Sequence, residues 1–176
     1  ILNYCAVGLD MLKTTDLDMV LIGDTLFANM VMAHEALSEG MKNLLAPLRG
    51  VSVSNLPKVT RTRQARIAEG AKTAPESVLT ATHPVVCTQP ETGRKILYVN
   101  GAHTCRFEGM SDEESAPLLE YLFEHLTRPE FTCRFRWEPG SIAYWDNRAT
   151  QHNPVNDYHG HKRVMHRITL AGGRPA

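Results

Sequence analysis

From residue 83 onwards the sequence consists of short strand-like runs separated by tight-turn signals, and this pattern limits the fold more than any other feature. The runs "HPVVCTQ" and "KILYVN" are joined by "PETGR", with proline early and glycine late, which predicts a β-hairpin. Three further runs follow, "FTCRFRW", "IAYWD" and "RVMHRITL". Short strands with tight turns and a few helices predict an antiparallel sandwich or barrel.

Helical signals occur in three places. Apolar residues recur at helical spacing between 26 and 37, in "LFANMVMAHEAL". Ser38 is positioned to cap a second helix, "EGMKNLLAPL". In "SDEESAPLLEYLFEHLTRPEF", Ser111 and Glu114 have capping-box spacing, and four leucines share one helical face: Leu118, Leu119, Leu122 and Leu126.

Two segments have weaker patterns. Residues 51–80 are basic, polar and interrupted by proline and glycine, which predicts an exposed excursion rather than a linker between domains. Its arginine-rich part, 61–66, is typical of a solvated face. Further upstream, "DMVLIGD" predicts a strand that runs into a turn at Gly23.

Length, charge and cysteine usage exclude several classes of protein. A chain of 176 residues is one domain's worth, and 19 basic residues balance 19 acidic ones, which excludes an electrostatic footprint for nucleic acid or anionic membrane. No apolar run approaches a membrane span, and "ILNYCAVGLDMLK" lacks the features of a signal peptide. The four cysteines lie far apart without a CxxC pair, which favours free thiols in a reducing cytoplasm over a disulfide framework.

The last strand-like run, "RVMHRITL", carries two arginines on one face. Because side chains alternate along a strand, Arg163 and Arg167 share a face, while Ile168 and Leu170 belong to the other. On the pattern alone, the favoured interpretation places the aliphatic side chains in the core and both arginines in solvent. The alternative turns both arginines into a ligand cavity, where two guanidinium groups predict two anionic groups on the ligands.

Four motifs in order, "GDTLFANM", "HPVV…ETGRKILYVN", "WDNRATQH" and "KRVMHR", together resemble the taurine dioxygenase and 2,4-dichlorophenoxyacetate dioxygenase (TauD/TfdA) family of Fe(II)- and 2-oxoglutarate-dependent dioxygenases. The resemblance runs from about Gly23 to the end and thins between 51 and 80. It implies an α+β fold, a double-stranded β-helix (a cupin-like jelly roll) with flanking helices. Its interior would hold iron bound by two histidines and one carboxylate.

The resemblance also implies an activity. The expected reaction is hydroxylation of a small anionic organic acid, such as a sulfonate or aryloxyalkanoate, which consumes 2-oxoglutarate and O₂ and releases succinate and CO₂. Relatives of this kind imply a cytoplasmic homodimer or homotetramer.

Five residues match functional positions of that family. His152 in "TQH" matches the distal iron-binding histidine, and Arg163 matches the arginine that holds the far carboxylate of 2-oxoglutarate. Thr25 in "GDT" matches a threonine whose hydroxyl helps to hold this co-substrate. Arg167 matches the arginine that receives the substrate's acidic group, and His103 in "VNGAHT" falls where the taurine enzyme has an aromatic substrate contact. Histidine makes the pocket more polar, so taurine is not the predicted substrate.

Each assignment has a structural alternative. Without the resemblance, His152 after a strand-like run is a hydrogen-bonded core or surface histidine, and Thr25 is a cap of the following helix. His103 is then a loop residue without a ligand. The "HGH" at 159–161 together with His166 resembles a zinc site only weakly, since no cysteine or carboxylate pattern accompanies it.

The family's remaining two iron ligands, a His-x-Asp or His-x-Glu pair upstream of "GDT", are not found in this sequence. Alignment backwards from Thr25 places this pair at or just before residue 1, which is isoleucine rather than methionine. We therefore expect residues 1–176 to be a single domain, the C-terminal portion of a dioxygenase domain without its N-terminal strands. Alone it should be inactive, because one imidazole holds Fe(II) poorly. The alternative is a catalytically inactive jelly-roll binding module or a truncated homologue that lacks the pair.

Overall fold

The computed structural model describes residues 7–12, 23–56, 78–155, 157 and 165–173. Within these ranges the chain forms three α-helices, one 3-10 turn (Pro129–Phe131) and eleven strands. The helices are α1 (Met30–Glu35), α2 (Glu39–Leu45) and α3 (Asp112–Leu126). The strands are β1 (Val7–Leu12), β2 (Thr25–Asn29), β3 (Arg49–Val53), β4 (Thr80–Pro84), β5 (Val86–Thr88), β6 (Lys95–Leu97), β7 (Thr104–Phe107), β8 (Thr132–Phe135), β9 (Ile142–Asp146), β10 (Thr150–Pro154) and β11 (Met165–Thr169).

The strands form small antiparallel sheets, as the turn-punctuated sequence predicts. Their strand orders are β11-β1-β9, β10-β2-β8, β4-β3-β7 and β5-β6. In the second sheet His152 of β10 lies opposite Phe27 of β2, and Thr25 lies opposite Pro154 on one side and Phe135 on the other. In the first two sheets, neighbouring strands are distant in sequence, so the topology brings the C-terminal strands beside the first described ones.

The predicted helix over 26–37 is wrong in its first part. Residues 25–29 are strand β2, and α1 begins at Met30, where the Asn29 side chain accepts hydrogen bonds from the backbone N–H groups of Val31 and Met32 at 3.0 and 3.1 Å. Pairing of β2 with two strands overrides the helical spacing of its apolar residues.

The other caps agree with the sequence. The Ser38 hydroxyl accepts from the backbone N–H of Met41 at the start of α2. At the start of α3, Ser111 and Glu114 form both hydrogen bonds of a capping box, at 3.2 and 2.8 Å. The capping-box prediction is therefore confirmed.

The predicted hairpin is also present. Strands β5 and β6 pair from Val86 opposite Leu97 to Thr88 opposite Lys95. The turn between them closes through a 2.8 Å hydrogen bond from the N–H of Gly93 to the carbonyl of Gln89. Gly93 has φ of +70°, a conformation that favours glycine.

The excursion predicted at 51–80 is wrong at both ends. Residues up to 53 belong to β3, which pairs with β4 and β7, and β4 begins at Thr80. Residues 57–77, including the arginine-rich 61–66, lie outside the described residues, as do 18–22 of the predicted upstream strand. The sequence pattern did not reveal β1, which is the central strand of its sheet.

Buried apolar side chains form two clusters. The larger, here called the helical core, is packed between the helices and strands β5 to β7, and its most buried members include Ala33, Leu45, Val85, Leu97, Phe107 and Leu122. The smaller, here called the aromatic core, consists of Trp137, Ala143 and Trp145 with Phe27, Phe135 and Met165 packed against them. The aromatic core joins the sheet that contains β2 to the sheet that contains β9 and β11.

Among the described residues, none of the helices combines the length and the apolar character required to cross a bilayer.

Candidate active site

A cavity of about 340 Å³ lies beside the aromatic core, between β10, β11 and the loop that leads into β7. Three of the predicted site residues line it: His103, His152 and Arg167. Thr25 does not line it, and Arg163 lies outside the described residues, as does the "HGH" of 159–161. The fold thus brings together residues from three separate stretches of the sequence.

His152 lies within β10 rather than after a strand. Its ring centroid is 5.2 Å from that of Trp145 and 6.3 Å from that of Phe27. The residue is exposed on its other side, towards the cavity. The aromatic core therefore supports an imidazole that remains accessible to a ligand.

Arg167 enters the cavity from β11. Two residues earlier on the same face, Met165 packs against the aromatic core, whereas Ile168 and Leu170 are 61% and 53% exposed. The interpretation favoured by the pattern alone, with these aliphatic side chains in the core, is wrong. The face that carries Met165 and Arg167 is the inner one, since Met165 packs against the aromatic core and Arg167 lines the cavity.

His103 is fixed in the loop before β7. Its backbone carbonyl accepts from the N–H of Val53 at 2.9 Å, and its own N–H donates to the carbonyl of Asn100 at 3.0 Å. Ring atom Nδ1 lies 3.3 Å from the carbonyl oxygen of Val53. A carbonyl oxygen only accepts, so Nδ1 carries the hydrogen and Nε2 of the neutral ring has the lone pair.

Thr25 is 4% exposed and accepts a 2.9 Å hydrogen bond from the indole N–H of Trp137. It lies inside β2, so it does not cap α1, whose cap is Asn29. Cross-strand pairing and strand alternation place Thr25 on the same face as Phe27 and His152. It is two strand residues, about 7 Å, from the position opposite His152.

Arg148 is a cavity residue that the sequence reasoning missed. Its guanidinium forms hydrogen bonds with both carboxylate oxygens of Asp146, at 3.0 and 3.1 Å, and with Glu91 at 2.7 Å. Burial raises the pKa of Asp146, but hydrogen bonds from Arg148 and Gln89 more than offset this, and the pKa is lowered from its ordinary value. The signal was available in "DNR", an arginine two residues after an acid in a turn.

Gln151 connects the two walls of the cavity. Its side-chain amide donates to the backbone carbonyl of Val99, and its side-chain oxygen accepts from the Asn100 amide at 3.4 Å. Because Asn100 also holds the loop through a 2.7 Å bond from the N–H of Ala102, strand β10 and the loop that carries His103 are held at a fixed separation.

The described part of the chain does not by itself fit a metal ion. No three His, Cys, Asp or Glu side chains within it are grouped as a metal site requires. His152 is an exposed imidazole that lines the cavity, and a metal ion held there would need further ligands from outside the described residues.

Several known proteins are similar to this chain. Residues 20–169 match the model of the family described as "Taurine catabolism dioxygenase TauD, TfdA family". The chain is 38% identical over 160 residues to an alpha-ketoglutarate-dependent dioxygenase, cnsM, of Penicillium expansum, a match that covers 87% of this chain and 42% of that protein. It is 39% identical over 154 residues to an alkylsulfatase of Acinetobacter baylyi, covering 85% of this chain and 48% of that protein.

A crystal structure of a taurine dioxygenase from Burkholderia xenovorans superposes with a TM-score of 0.75 at 35% identity, covering 98% of this chain and 54% of that one. This match confirms the predicted jelly-roll fold. The chain spans about half the length of the curated relatives that it matches.

Proposed function

Because the chain belongs to the TauD/TfdA dioxygenase family, we propose that the protein is an Fe(II)- and 2-oxoglutarate-dependent dioxygenase that hydroxylates a small organic sulfonate or sulfate ester. Succinate and CO₂ would be the products of the co-substrate. The observation that carries this proposal is the cavity in which His152, His103 and Arg167 meet beside the aromatic core.

Arg167 is proposed to receive the anionic group of the substrate. Its planar guanidinium can donate two parallel hydrogen bonds to a sulfonate, a sulfate or a carboxylate. The names of two relatives favour a sulfur oxyanion, since one is an alkylsulfatase and the other is a dioxygenase of taurine, which is a sulfonate. His103 is proposed to contact the substrate from the opposite wall, through the ring nitrogen that Val53 leaves unused.

The co-substrate and metal are assigned to a second group of residues. His152 is proposed as one iron ligand, while Arg163 and Thr25 are proposed to hold the far carboxylate of 2-oxoglutarate. Side chains alternate along a strand, so residues four apart, such as Arg163 and Arg167, belong to the same face of a continuous strand. This alternation supports the proposed placement of Arg163. We further propose that this chain is the C-terminal portion of a dioxygenase domain and that the other two ligands lie outside the described residues.

The test is succinate production by the full-length protein with Fe(II), 2-oxoglutarate and O₂. Alkyl sulfates, alkyl sulfonates and aryloxyalkanoates of matched chain length would be compared. We expect succinate formation to rise with at least one sulfur oxyanion substrate and to fall with the Arg167→Ala variant. If 2-oxoglutarate were converted to succinate at a rate that none of these sulfates and sulfonates increases, the proposed substrate class would be contradicted.

The alternative is a jelly-roll binding module that holds an organic acid without turnover. The observation in its favour is that the described residues lack a three-ligand cluster. Anaerobic addition of Fe(II) and 2-oxoglutarate separates the two functions, because chelation of the 2-oxoacid to iron produces a charge-transfer band in visible light. Absence of the band, with acid binding retained, would establish the binding module instead.

Cellular location and assembly follow the same proposal. We propose a cytoplasmic homodimer or homotetramer. Two of the described cysteines support a reducing compartment, since Cys105 and Cys133 are free thiols. Light scattering after size-exclusion chromatography would measure the assembly, and a monomer at micromolar concentration would contradict it.

A further inference from the structure

The hydrogen bond between Trp137 and Thr25 fixes which way the threonine hydroxyl can act. An indole N–H only donates, so the Thr25 oxygen is the acceptor at 2.9 Å. A hydroxyl group has two lone pairs and one hydrogen. The bond from Trp137 uses one lone pair and leaves the hydroxyl hydrogen to be donated elsewhere.

This hydrogen has no acceptor among the described residues. Thr25 is 4% exposed, so the donor is also largely shielded from water. An unsatisfied buried donor costs on the order of 1–3 kcal/mol, and such groups in native proteins call for an explanation. A ligand that brings an acceptor to this position would remove the cost.

Packing holds the indole in place. Trp137 is 1% exposed, and its ring meets that of Phe135 edge to face, with centroids 4.7 Å apart. Phe135 in turn lies opposite Thr25 across the β2–β8 pair. The indole therefore has little freedom to turn its N–H away from Thr25.

We propose that Trp137 is a positioning residue for the co-substrate: by occupying one lone pair of Thr25, it directs the threonine hydrogen to a carboxylate oxygen of 2-oxoglutarate. The inference rests on the proposed function, in which Thr25 holds this carboxylate. A carboxylate only accepts hydrogen bonds and forms the stronger, charge-assisted kind. Along strand β2, Thr25 is about 7 Å from the position opposite His152, and this offset suits an extended five-carbon diacid whose other end lies beside the imidazole.

The experiment is a double-mutant cycle on 2-oxoglutarate affinity. Full-length protein is titrated calorimetrically with 2-oxoglutarate in the presence of Mn(II) and the absence of oxygen, in four forms: wild type, Thr25→Val, Trp137→Phe and the double variant. We expect Thr25→Val to weaken binding about tenfold or more. Trp137→Phe should weaken it severalfold, and in the Thr25→Val background it should change affinity by less than about twofold.

The possible outcomes separate positioning from packing. If Trp137→Phe weakens binding equally in both backgrounds, the indole acts by packing and the inference is wrong. If Thr25→Val alone weakens binding, the indole does not orient the hydroxyl, and the inference fails while the proposed function stands. If the wild-type protein does not bind 2-oxoglutarate, the proposed function and the inference fail together.

Two further measurements do not depend on the tryptophan variant folding. Thr25→Ser keeps the hydroxyl and should retain wild-type affinity within about threefold, unlike Thr25→Val. In Zn(II)-loaded protein with ¹⁵N-labelled tryptophan, 2-oxoglutarate should shift the Trp137 indole resonance in wild type but not in Thr25→Val. An indole signal that responds equally in both would overturn the inference.

Discussion

The helical core and the aromatic core differ in how completely they are enclosed. Helices and strands surround the helical core, and its central residues, such as Phe107 and Leu122, are 0% exposed. Among the described residues the aromatic core has three buried members, and it reaches the cavity through His152, whereas the helical core supplies Met30, Leu97 and Val99 to the lining directly. The strands that supply it also present Ile142, Tyr144 and Ile168 outward, at 59%, 70% and 61% exposure.

This difference separates stability from ligand chemistry. The free energy gained on folding increases with the apolar area that is buried. Most of it should therefore come from the helical core, which has more buried apolar side chains. Thr25 and His152 depend instead on the aromatic core, where rigid rings orient polar groups. Substitutions in the first region should change stability more than binding, and substitutions in the second should do the reverse.

The largest expected effect is on stability, from Phe107→Ala. Removing this fully buried ring should lower the free energy of unfolding by about 3–5 kcal/mol. Urea denaturation measures it, with the 39%-exposed Tyr121→Ala on α3 as the matched control. Folded Phe107→Ala protein should bind 2-oxoglutarate with nearly wild-type affinity, and a comparable loss of affinity would show that the two cores are coupled.

The next effect is on binding, from Arg167→Ala. Loss of hydrogen bonds to a charged group should weaken the binding of the sulfonate or sulfate ester substrate by about 1.5–3 kcal/mol. The free energy of unfolding should change little. Isothermal titration measures the affinity, and Arg128→Ala, an exposed arginine beyond the end of α3, is the control. Equal losses for both variants would indicate a general charge effect rather than a contact.

A smaller effect on stability is expected at the start of α3, the helix that packs on the helical core. Ser111→Ala removes one half of the capping box and should lower the free energy of unfolding by about 1 kcal/mol. Glu120→Ala, an exposed site within the same helix, should change it much less. Thermal unfolding can resolve the difference, and equal melting temperatures for the two variants would be inconsistent with a stabilising cap.

The smallest expected effect is the pH dependence of the free energy of unfolding that Asp146, the partner of the cavity residue Arg148, should cause. Its pKa in the folded protein is below the unfolded value of 3.8, so the folded state binds the proton more weakly than the unfolded state. Stability from this group is present above pH 3.8 and is lost as pH falls through the folded pKa. Between about pH 5 and pH 2, Asp146→Asn should therefore lose less stability than the wild type, and urea denaturation at these pH values measures the difference.

Local chemistry decided which elements the sequence could predict. The capping box at Ser111 and the hairpin around Gly93 depend on neighbouring residues, and both are confirmed. The strand at 25–29 was misread as helix because its apolar spacing fits either period, and its two partner strands are more than 100 residues away. Strand β3 has too few large apolar residues to stand out, although it pairs on both sides.

The site could be predicted only as far as the family motifs extend. They indicated that His103, His152 and Arg167 act together, and the fold gathers all three around one cavity. Their individual roles remain predictions. Arg148 and the Trp137 contact depend on strand register and on which side chains meet across sheets, and neither periodicity nor motif spacing carries that information.

The tautomer of His103 decides which kind of ligand group one wall of the cavity can hold. The ring hydrogen on Nδ1 is donated to the carbonyl of Val53, so the other ring nitrogen can only accept, from a donor such as a hydroxyl or an ammonium group. Among substrates with the same anionic group, those that present a hydroxyl or an ammonium hydrogen to this wall should therefore bind better than those that present a second oxyanion to it.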